Sequence, residues 1–248
     1  MENALNDKTI EGRNPIEEAL LSGVSIDKIY ISDTANKNAL GKILDLARKN
    51  GVPFSFVSAK KIEEMSVSER SQGVVAYTSS VSYSTVEDIL EESRRKGTSP
   101  FIVIADEITD PHNLGAIIRT ANAVGADGVI IPKHRSAGVN AIVAKTSAGA
   151  FYHTKIAKVA SLTKTVDMLK KEGIWVFGAD MAGEKSIYKA DLSGALALVV
   201  GSEGKGITRL MKEKCDFLVN IPMVGKTESL NASVAAAVIM YEISRRKL

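Results

Sequence analysis

Between Phe101 and the C-terminus, short apolar runs alternate with helical segments, a pattern that few folds satisfy. FIVIADEI at 101–108, GVIIP at 128–132, IWVFGAD at 174–180, ALALVVG at 195–201 and DFLVNIP at 216–222 have the length and apolarity of strands. FIVIADEI is apolar enough to be buried on both faces. Between them stand NLGAIIRTANAVGA at 113–126, NAIVAKTSAGA at 140–150, TKTVDMLKKEG at 163–173 and GITRLMKEK at 206–214, each read as a helix. LNASVAAAVIMYEISRRK at 230–247 is a long final helix whose Arg245, Arg246 and Lys247 suit a C-terminus. KIAKV at 155–159 stays ambiguous by pattern. The alternation predicts an α/β fold with a mostly parallel sheet covered on both faces.

The first part of the chain alternates on a smaller scale. A turn and helix at 10–23 contain Pro15 near the helix start. DKIYIS at 27–32, PFSFVS at 53–58 and QGVVAYTS at 72–79 read as strands, separated by the amphipathic NALGKILDLARKNG at 38–51 and a short helix at 59–66. Residues 1–78 are therefore expected to form a small α/β domain. Residues 79–99, with the charged helix VEDILEESRRKG, are expected to link it to a second domain over 100–248, with the boundary near Pro100.

Composition removes several classes of protein. Cys215 is the single cysteine, so neither an internal disulfide framework nor a thiolate metal cluster can form. MENALNDKTIEGRNP has no apolar run behind a basic start, and the best apolar stretch, ALALVV at 195–200, is strand length. A soluble cytoplasmic protein without a membrane segment is expected. The net charge is only +3, but it is unevenly spread. Residues 1–78 carry 10 basic and 11 acidic side chains, whereas residues 99–248 carry 19 and 14. If RNA binds, the C-terminal part is expected to supply much of the phosphate contact, although plain solubility explains the same charges.

In open α/β sheets ligands collect beyond the carboxyl ends of the strands, and three ends here are unusually specified. After the strand at 101–108, Asn113 is read as the N-cap of a helix that carries Gly115 and Arg119. Arg119 can hold an anionic or ribose group in its five-donor fork, or simply form a surface salt bridge. After the strand at 195–201 comes GSEGKG, with glycines at 201, 204 and 206 around Glu203 and Lys205. This is neither GxGxxG nor a phosphate-binding loop, and an acidic residue there disfavours phosphate while accepting from a ribose hydroxyl. After the strand at 216–222, Ser229, Asn231 and Ser233 crowd a helix start, more polar groups than one cap needs. His112, His134 and His153 lack metal-ligand spacing, so no metal site is expected. The loops Met181–Glu184 and His134–Ser136 are read as polar loops within reach of RNA, or as loops only.

NLGAIIR at 113–119, GSEGKG at 201–206 and IPM…SLNASVAAAVIMYE at 221–242, in this order, resemble the SpoU class of SPOUT RNA 2′-O-methyltransferases over roughly residues 100–245. Residues 1–78, through GRNPIEEAL and the QGV at 72–74, resemble the small ribosomal-protein-like domain, of the L30e kind, on one TrmH-like branch. That branch methylates a guanosine ribose in large-subunit (23S) ribosomal RNA. Its members often carry histidine before this QGV, where Ser71 stands here. The resemblance implies a deep C-terminal trefoil knot, which general rules of chain topology disfavour. It also implies a homodimer, structured RNA as substrate, and S-adenosylmethionine cradled by the loops around 200–206, 220–225 and 229–231.

By the same resemblance Arg119, Asn113, Glu203, Ser229 and Asn231 are catalytic, and Gly201, Ile221 and Leu230 receive the adenosine. Arg119 is the residue expected to orient the 2′-hydroxyl. A guanidinium of pKa above ~12 is a poor base, so a cationic Arg119 stabilising the developing alkoxide, with an RNA phosphate taking the proton, is the easier chemistry. Other readings remain open at this point: a transfer-RNA ribose methyltransferase, a non-catalytic ribosome-assembly factor on the same fold, or an unrelated nucleotide-binding enzyme.

Overall fold

The computed structural model describes residues 9–22, 24, 26–36, 40–66, 71–78, 83–139 and 141–247. The leaderless reading of residues 1–8, the first residues of the expected linker at 79–82 and the helix start expected at Asn140 fall outside them. The chain divides into two compact units, Met1–Ser82 with Ala137–Ala144, and Tyr83–Ser136 with Lys145–Leu248. The excursion at 137–144, expected within the second domain, thus groups with the first unit.

In the first unit, β1 (Thr9–Glu11), β2 (Ile26–Ser32), β3 (Phe54–Val57) and β4 (Val74–Thr78) form one sheet in the order β1-β4-β2-β3. β2 and β3 are parallel, and the other pairings are antiparallel. Helices α1 (Arg13–Ser22), α2 (Gly41–Lys49) and α3 (Ala59–Met65) accompany the sheet. Ile16 and Leu20 of α1 and Ile43 and Ala47 of α2, spaced at helical intervals, share a core with Ile29, Ile31, Val74 and Ala76. The two motifs that carried the resemblance meet here, because Arg13 Nε donates to Gln72 Oε1 at 3.2 Å. β1 was not visible as a strand in the sequence, since three polar-flanked residues carry no period.

In the second unit, α4 (Val86–Lys96) precedes β5 (Phe101–Asp106), α5 (Pro111–Ala123), β6 (Gly128–Pro132), α6 (Ala141–Thr146, which straddles the division), a 3-10 turn at Ala150–His153 and β7 (Lys155–Val159). There follow α7 (Leu162–Lys171), β8 (Trp175–Ala179), β9 (Lys185–Ser186), β10 (Leu196–Gly201), α8 (Arg209–Lys214), β11 (Phe217–Asn220) and α9 (Ala232–Arg245). The sheet runs β7-β6-β5-β10-β8-β11-β9, and every pairing in it is parallel. The chain lays strands outward from β5 to β7, crosses to β8 and β9, and then inserts β10 between β5 and β8 and β11 between β8 and β9.

Segment 79–99, expected as a linker, contributes α4 to this core. Val86, Ile89 and Leu90 pack with Ile102, Ile104, Val166 and Val199. Burying three such side chains stabilises by about 1.5–3 kcal/mol each, against at most ~1 kcal/mol for the exposed ion pair that Arg94 of this helix makes with Glu172. A capping box from Thr85 and Asp88 and a left-handed Gly97 define its two ends. α7 and α8 lie with α4 on this face. On the other face α5 packs on β6 and α9, and α9 also packs on β10.

Two carboxylates pin the register by the same device. Asp127, just before β6, accepts from the Phe101 amide at 2.8 Å and pairs with Lys96 at 3.0 Å. Asp216, just before β11, accepts from the Val176 amide at 2.8 Å and pairs with Lys170 at 2.8 Å. Each lysine comes from the last turn of a helix, where a cation is favoured. At the C-terminus Glu242, with its side chain 7% exposed, holds both Arg245 and Arg246. Arg246 in turn donates to the carbonyls of Ile187, at 3.1 Å, and Tyr188, at 3.0 Å.

β10 ends where a side chain cannot fit. A β-carbon on Gly201 would lie 2.0 Å from the Gly206 carbonyl carbon and 2.2 Å from the Ile207 nitrogen. The turn closes on itself through Ser202 N to Gly206 O at 3.1 Å and Gly206 N to Ser202 O at 2.9 Å. Gly204 and Gly206 have φ of 78° and 65°, the left-handed region that glycine enters without strain.

Gly201→Ala is expected to destabilise the chain by about 3 kcal/mol or more, because the clash is with backbone that cannot step aside. Denaturant unfolding measures this, and a loss under 1 kcal/mol contradicts the geometry. The hydrogen bonds from Arg245 and Arg246 hold the Glu242 carboxyl down to about 2. A depressed carboxylate stabilises fully above its unfolded value near 4.5 and loses that contribution as pH falls toward 2. The gap in melting temperature between the native chain and Glu242→Gln is therefore expected to be widest above pH 4.5 and to narrow as pH falls below it.

Candidate active site

The carboxyl ends of β8, β10 and β11 open into one cavity of about 400 Å³. This is within the usual size of a small-molecule pocket, ~300–1,000 Å³. Its walls are the glycine turn 201–206, the segment from Asn220 to Leu230, the Asp180–Ala182 loop and the first turns of α9. Ile221, Met223, Leu230 and Ile239 supply apolar surface, and the turn supplies backbone groups. The segment 221–231 has no regular structure, and Ser229 in it is exposed.

Of the residues expected at the site, Gly201, Glu203, Ile221, Ser229 and Leu230 line this cavity. Asn113 and Asn231 reach it through Glu203. Asn113 Nδ2 donates to Glu203 Oε1 at 3.3 Å, and Asn231 Nδ2 donates to Asn113 Oδ1 at 3.0 Å. Asn231 Nδ2 also contacts Glu203 Oε1 directly. Three residues, separated by 90 and 28 positions, thus share one hydrogen-bonded cluster.

Each amide is held by its own helix. Asn231 is the N-cap of α9, and its Oδ1 accepts from the Ser233 amide at 3.0 Å and the Val234 amide at 3.3 Å. With the oxygen committed to capping, the amide nitrogen is turned toward Asn113 and Glu203. Asn113 was expected to be a cap as well, and here the reading is corrected. The N-cap of α5 is Asp110, which accepts from the His112 amide at 2.9 Å, with Pro111 in the first turn. Asp110 satisfies the helix end, so the Asn113 side chain, buried within the first turn, is free to use both its donor and its acceptor on the cluster.

Arg119 stands apart. It is exposed, has no hydrogen-bond or ion-pair partner among the described residues, and is not in the cavity wall. Six positions along α5 place it on a different side of the helix from Asn113.

The sequence reading did not single out Asp180, Lys212 or Asp106. Asp180 and Lys212 form a 2.6 Å ion pair in the cavity wall. Asp180 ends the IWVFGAD run, so the rule about strand ends already marked its position. Asp106 accepts from the Thr208 amide at 2.7 Å and so fastens β5 to the start of α8. Burial pushes its carboxyl above the ordinary value, with the Thr208 hydrogen bonds opposing and Glu107 adding to the rise. Of the two polar loops, Met181 and Ala182 touch the cavity. Cys215 is partly buried, and the loss of solvation pushes its thiol up to about 12, so it stays protonated and unreactive near neutral pH. Among the described residues no helix is long and apolar enough to cross a membrane.

Comparison with known proteins places this geometry among relatives. Residues 100–241 match the SpoU rRNA Methylase family, and residues 9–84 match the RNA 2'-O ribose methyltransferase substrate binding family. A Bacillus subtilis protein, YacO, named within the TrmH family of tRNA/rRNA methyltransferases, is 44% identical over 95% of this chain and 94% of its own. The solved SpoU methyltransferase AviRb from Streptomyces viridochromogenes, in complex with AdoMet, superposes with a TM-score of 0.61. It is 25% identical, over 96% of this chain and 89% of AviRb. The TrmH/SpoU tRNA modifying enzyme of A. aeolicus superposes with a TM-score of 0.55 at 28% identity, covering 64% of this chain and 84% of its own. With its family match over more than half its length and a relative of this identity along nearly all of it, the chain belongs to the SpoU rRNA methylase family.

Proposed function

We propose that this chain transfers a methyl group from S-adenosylmethionine to the ribose 2′-hydroxyl of a guanosine in large-subunit (23S) ribosomal RNA, acting as a homodimer. The observation that carries the reading is the cluster of Glu203, Asn113 and Asn231 against a glycine-walled cavity. Family membership supports methyl transfer to RNA, and the match over 9–84 supports ribose as the acceptor. We assign RNA capture to the N-terminal domain, over residues 1–78, and an L30e-like fold to it. We also assign a trefoil knot to the C-terminal domain over 100–248. The late insertion of β10 and β11 between strands already laid supports that threading.

The cavity suits this methyl donor. Gly201, Ile221 and Leu230 line it, and we assign their backbone groups to the edge of the adenine and Ile221, Leu230 and Ile239 to its faces. A β-carbon at 201 would collide with the turn that forms this wall. Bound there, S-adenosylmethionine supplies an electrophilic sulfonium methyl, and the protein's task is alignment and charge. Glu203 accepts from a ribose hydroxyl, while Asn113 and Asn231 hold its carboxylate in place. Ser229, exposed on the cavity wall, adds a hydroxyl on the substrate side. The Arg119 guanidinium stabilises negative charge growing on the 2′-oxygen, while an RNA phosphate takes the proton. Because Arg119 lies outside its own chain's cavity wall, we place its action in the assembled dimer with RNA bound.

A transfer-RNA substrate is the second reading, favoured by the likeness to the A. aeolicus enzyme. Methyl incorporation from labelled S-adenosylmethionine into unmodified large-subunit RNA and into transfer RNA, followed by mapping of the methylated ribose, separates the two. The expected product is one 2′-O-methylguanosine in the large-subunit RNA, and label confined to transfer RNA overturns the assignment. Arg119→Ala is expected to keep cofactor affinity within a few-fold while cutting single-turnover methyl transfer by ~100-fold or more, as loss of charge stabilisation at the reacting oxygen requires. Undiminished transfer removes Arg119 from the mechanism.

A further inference from the structure

The cavity wall carries a second charged feature that ribose positioning does not use. Asp180 follows the end of β8 with its side chain 9% exposed. Its Oδ1 accepts from the Ala182 amide at 2.9 Å, and its Oδ2 lies 2.6 Å from Lys212 Nζ on α8. Oδ2 also lies 3.6 Å from where a β-carbon of Gly206 would stand, so the pair sits directly beside the glycine turn. Lys212 is 37% exposed and retains ammonium donors beyond the one it gives Asp180.

Fastening β8 to α8 explains a salt bridge but not its placement in a cavity wall. A half-buried charge is costly unless compensated, and a ligand entering this cavity must leave both charges satisfied. A group bearing one positive and one negative charge does so without changing the net charge. The amino-acid end of S-adenosylmethionine is such a group, with an ammonium and a carboxylate on one carbon. The other charged side chains of the wall are less suited to it. Glu203 is engaged by Asn113 and Asn231, and Lys205 and Glu228 are exposed, with no ion-pair partner among the described residues to hold them in place.

We propose that Asp180 and Lys212 form the subsite for the amino-acid end of the cofactor, Asp180 receiving the ammonium and Lys212 the carboxylate. The assignment rests on the cofactor reading of this cavity. It makes the ion pair a recognition element that re-pairs with the ligand.

Two ligands separate this role from a structural one. S-adenosylhomocysteine keeps the amino-acid end, and 5′-methylthioadenosine lacks it. Calorimetric titration of the full chain is expected to show Asp180→Asn weakening S-adenosylhomocysteine by about tenfold or more, the size of one lost charged hydrogen bond, with methylthioadenosine changed by no more than about twofold. Lys212→Met is expected to act in the same direction, and it decides the matter if Asp180→Asn does not fold. An equal loss for both ligands makes the pair structural and overturns the proposal, as does unchanged affinity for S-adenosylhomocysteine. If the native chain binds neither ligand, the cofactor reading itself fails.

Discussion

β10 pairs with β5 along six residues, from Leu196 beside Phe101 to Gly201 beside Asp106. Two strands almost a hundred positions apart thus end side by side, and the functional groups that follow them share one neighbourhood. After β5 the chain leads into α5 and Asn113, and after β10 into the turn that carries Glu203. Asp106 secures the junction by accepting from Thr208, beyond that turn. Parallel pairing makes this arrangement obligatory, because only parallel neighbours deliver successive carboxyl ends to the same edge of a sheet.

Strand pairing sets position, and amides set orientation. Asn231 spends its carbonyl oxygen on capping α9, so its nitrogen faces the other two members of the cluster. Asn113 relays, accepting from Asn231 and donating to Glu203. Neutral donors hold the carboxylate at Oε1 without an opposing charge, so Glu203 keeps its capacity to accept a further hydrogen bond. A lysine or arginine in either place would bind the same oxygen more strongly and consume that capacity.

The charges elsewhere in the second unit serve mainly to pin strands. Asp127 and Asp216 each bridge an amide at the start of a neighbouring strand and a lysine from a helix end. Glu242 and Arg246 tie the last helix to the carbonyls of residues 187 and 188. Both devices work at the amino ends of strands or on connecting segments, leaving the carboxyl ends to the cavity. Asp180 and Lys212 depart from this division, because their ion pair lies in the cavity wall.

What could be read from the chain alone was what depends on near neighbours. Apolar runs of strand length, helical spacing in segments such as Leu162–Lys171, and the glycines at 201, 204 and 206 are local properties, and they mark the strand ends where Gly201, Glu203, Ile221, Ser229 and Leu230 now line one cavity. Short pieces escaped, as with the three residues of β1 and the two of β9, because a period needs more positions than they have. The helix at 86–96 showed its capping and charge, but not that Val86 and Ile89 belong to a core built from residues up to 125 positions away. Asn113 looked like a cap because cap chemistry and site chemistry use the same side chain, and only the folded position of Asp110 separates them. Strand order, the meeting of Asn113 with Asn231, the pairing of Asp180 with Lys212 and the exposure of Arg119 were decided by tertiary structure. They follow from which strands pair across the sheet, and pairing between distant segments leaves no trace in the residues next to each one.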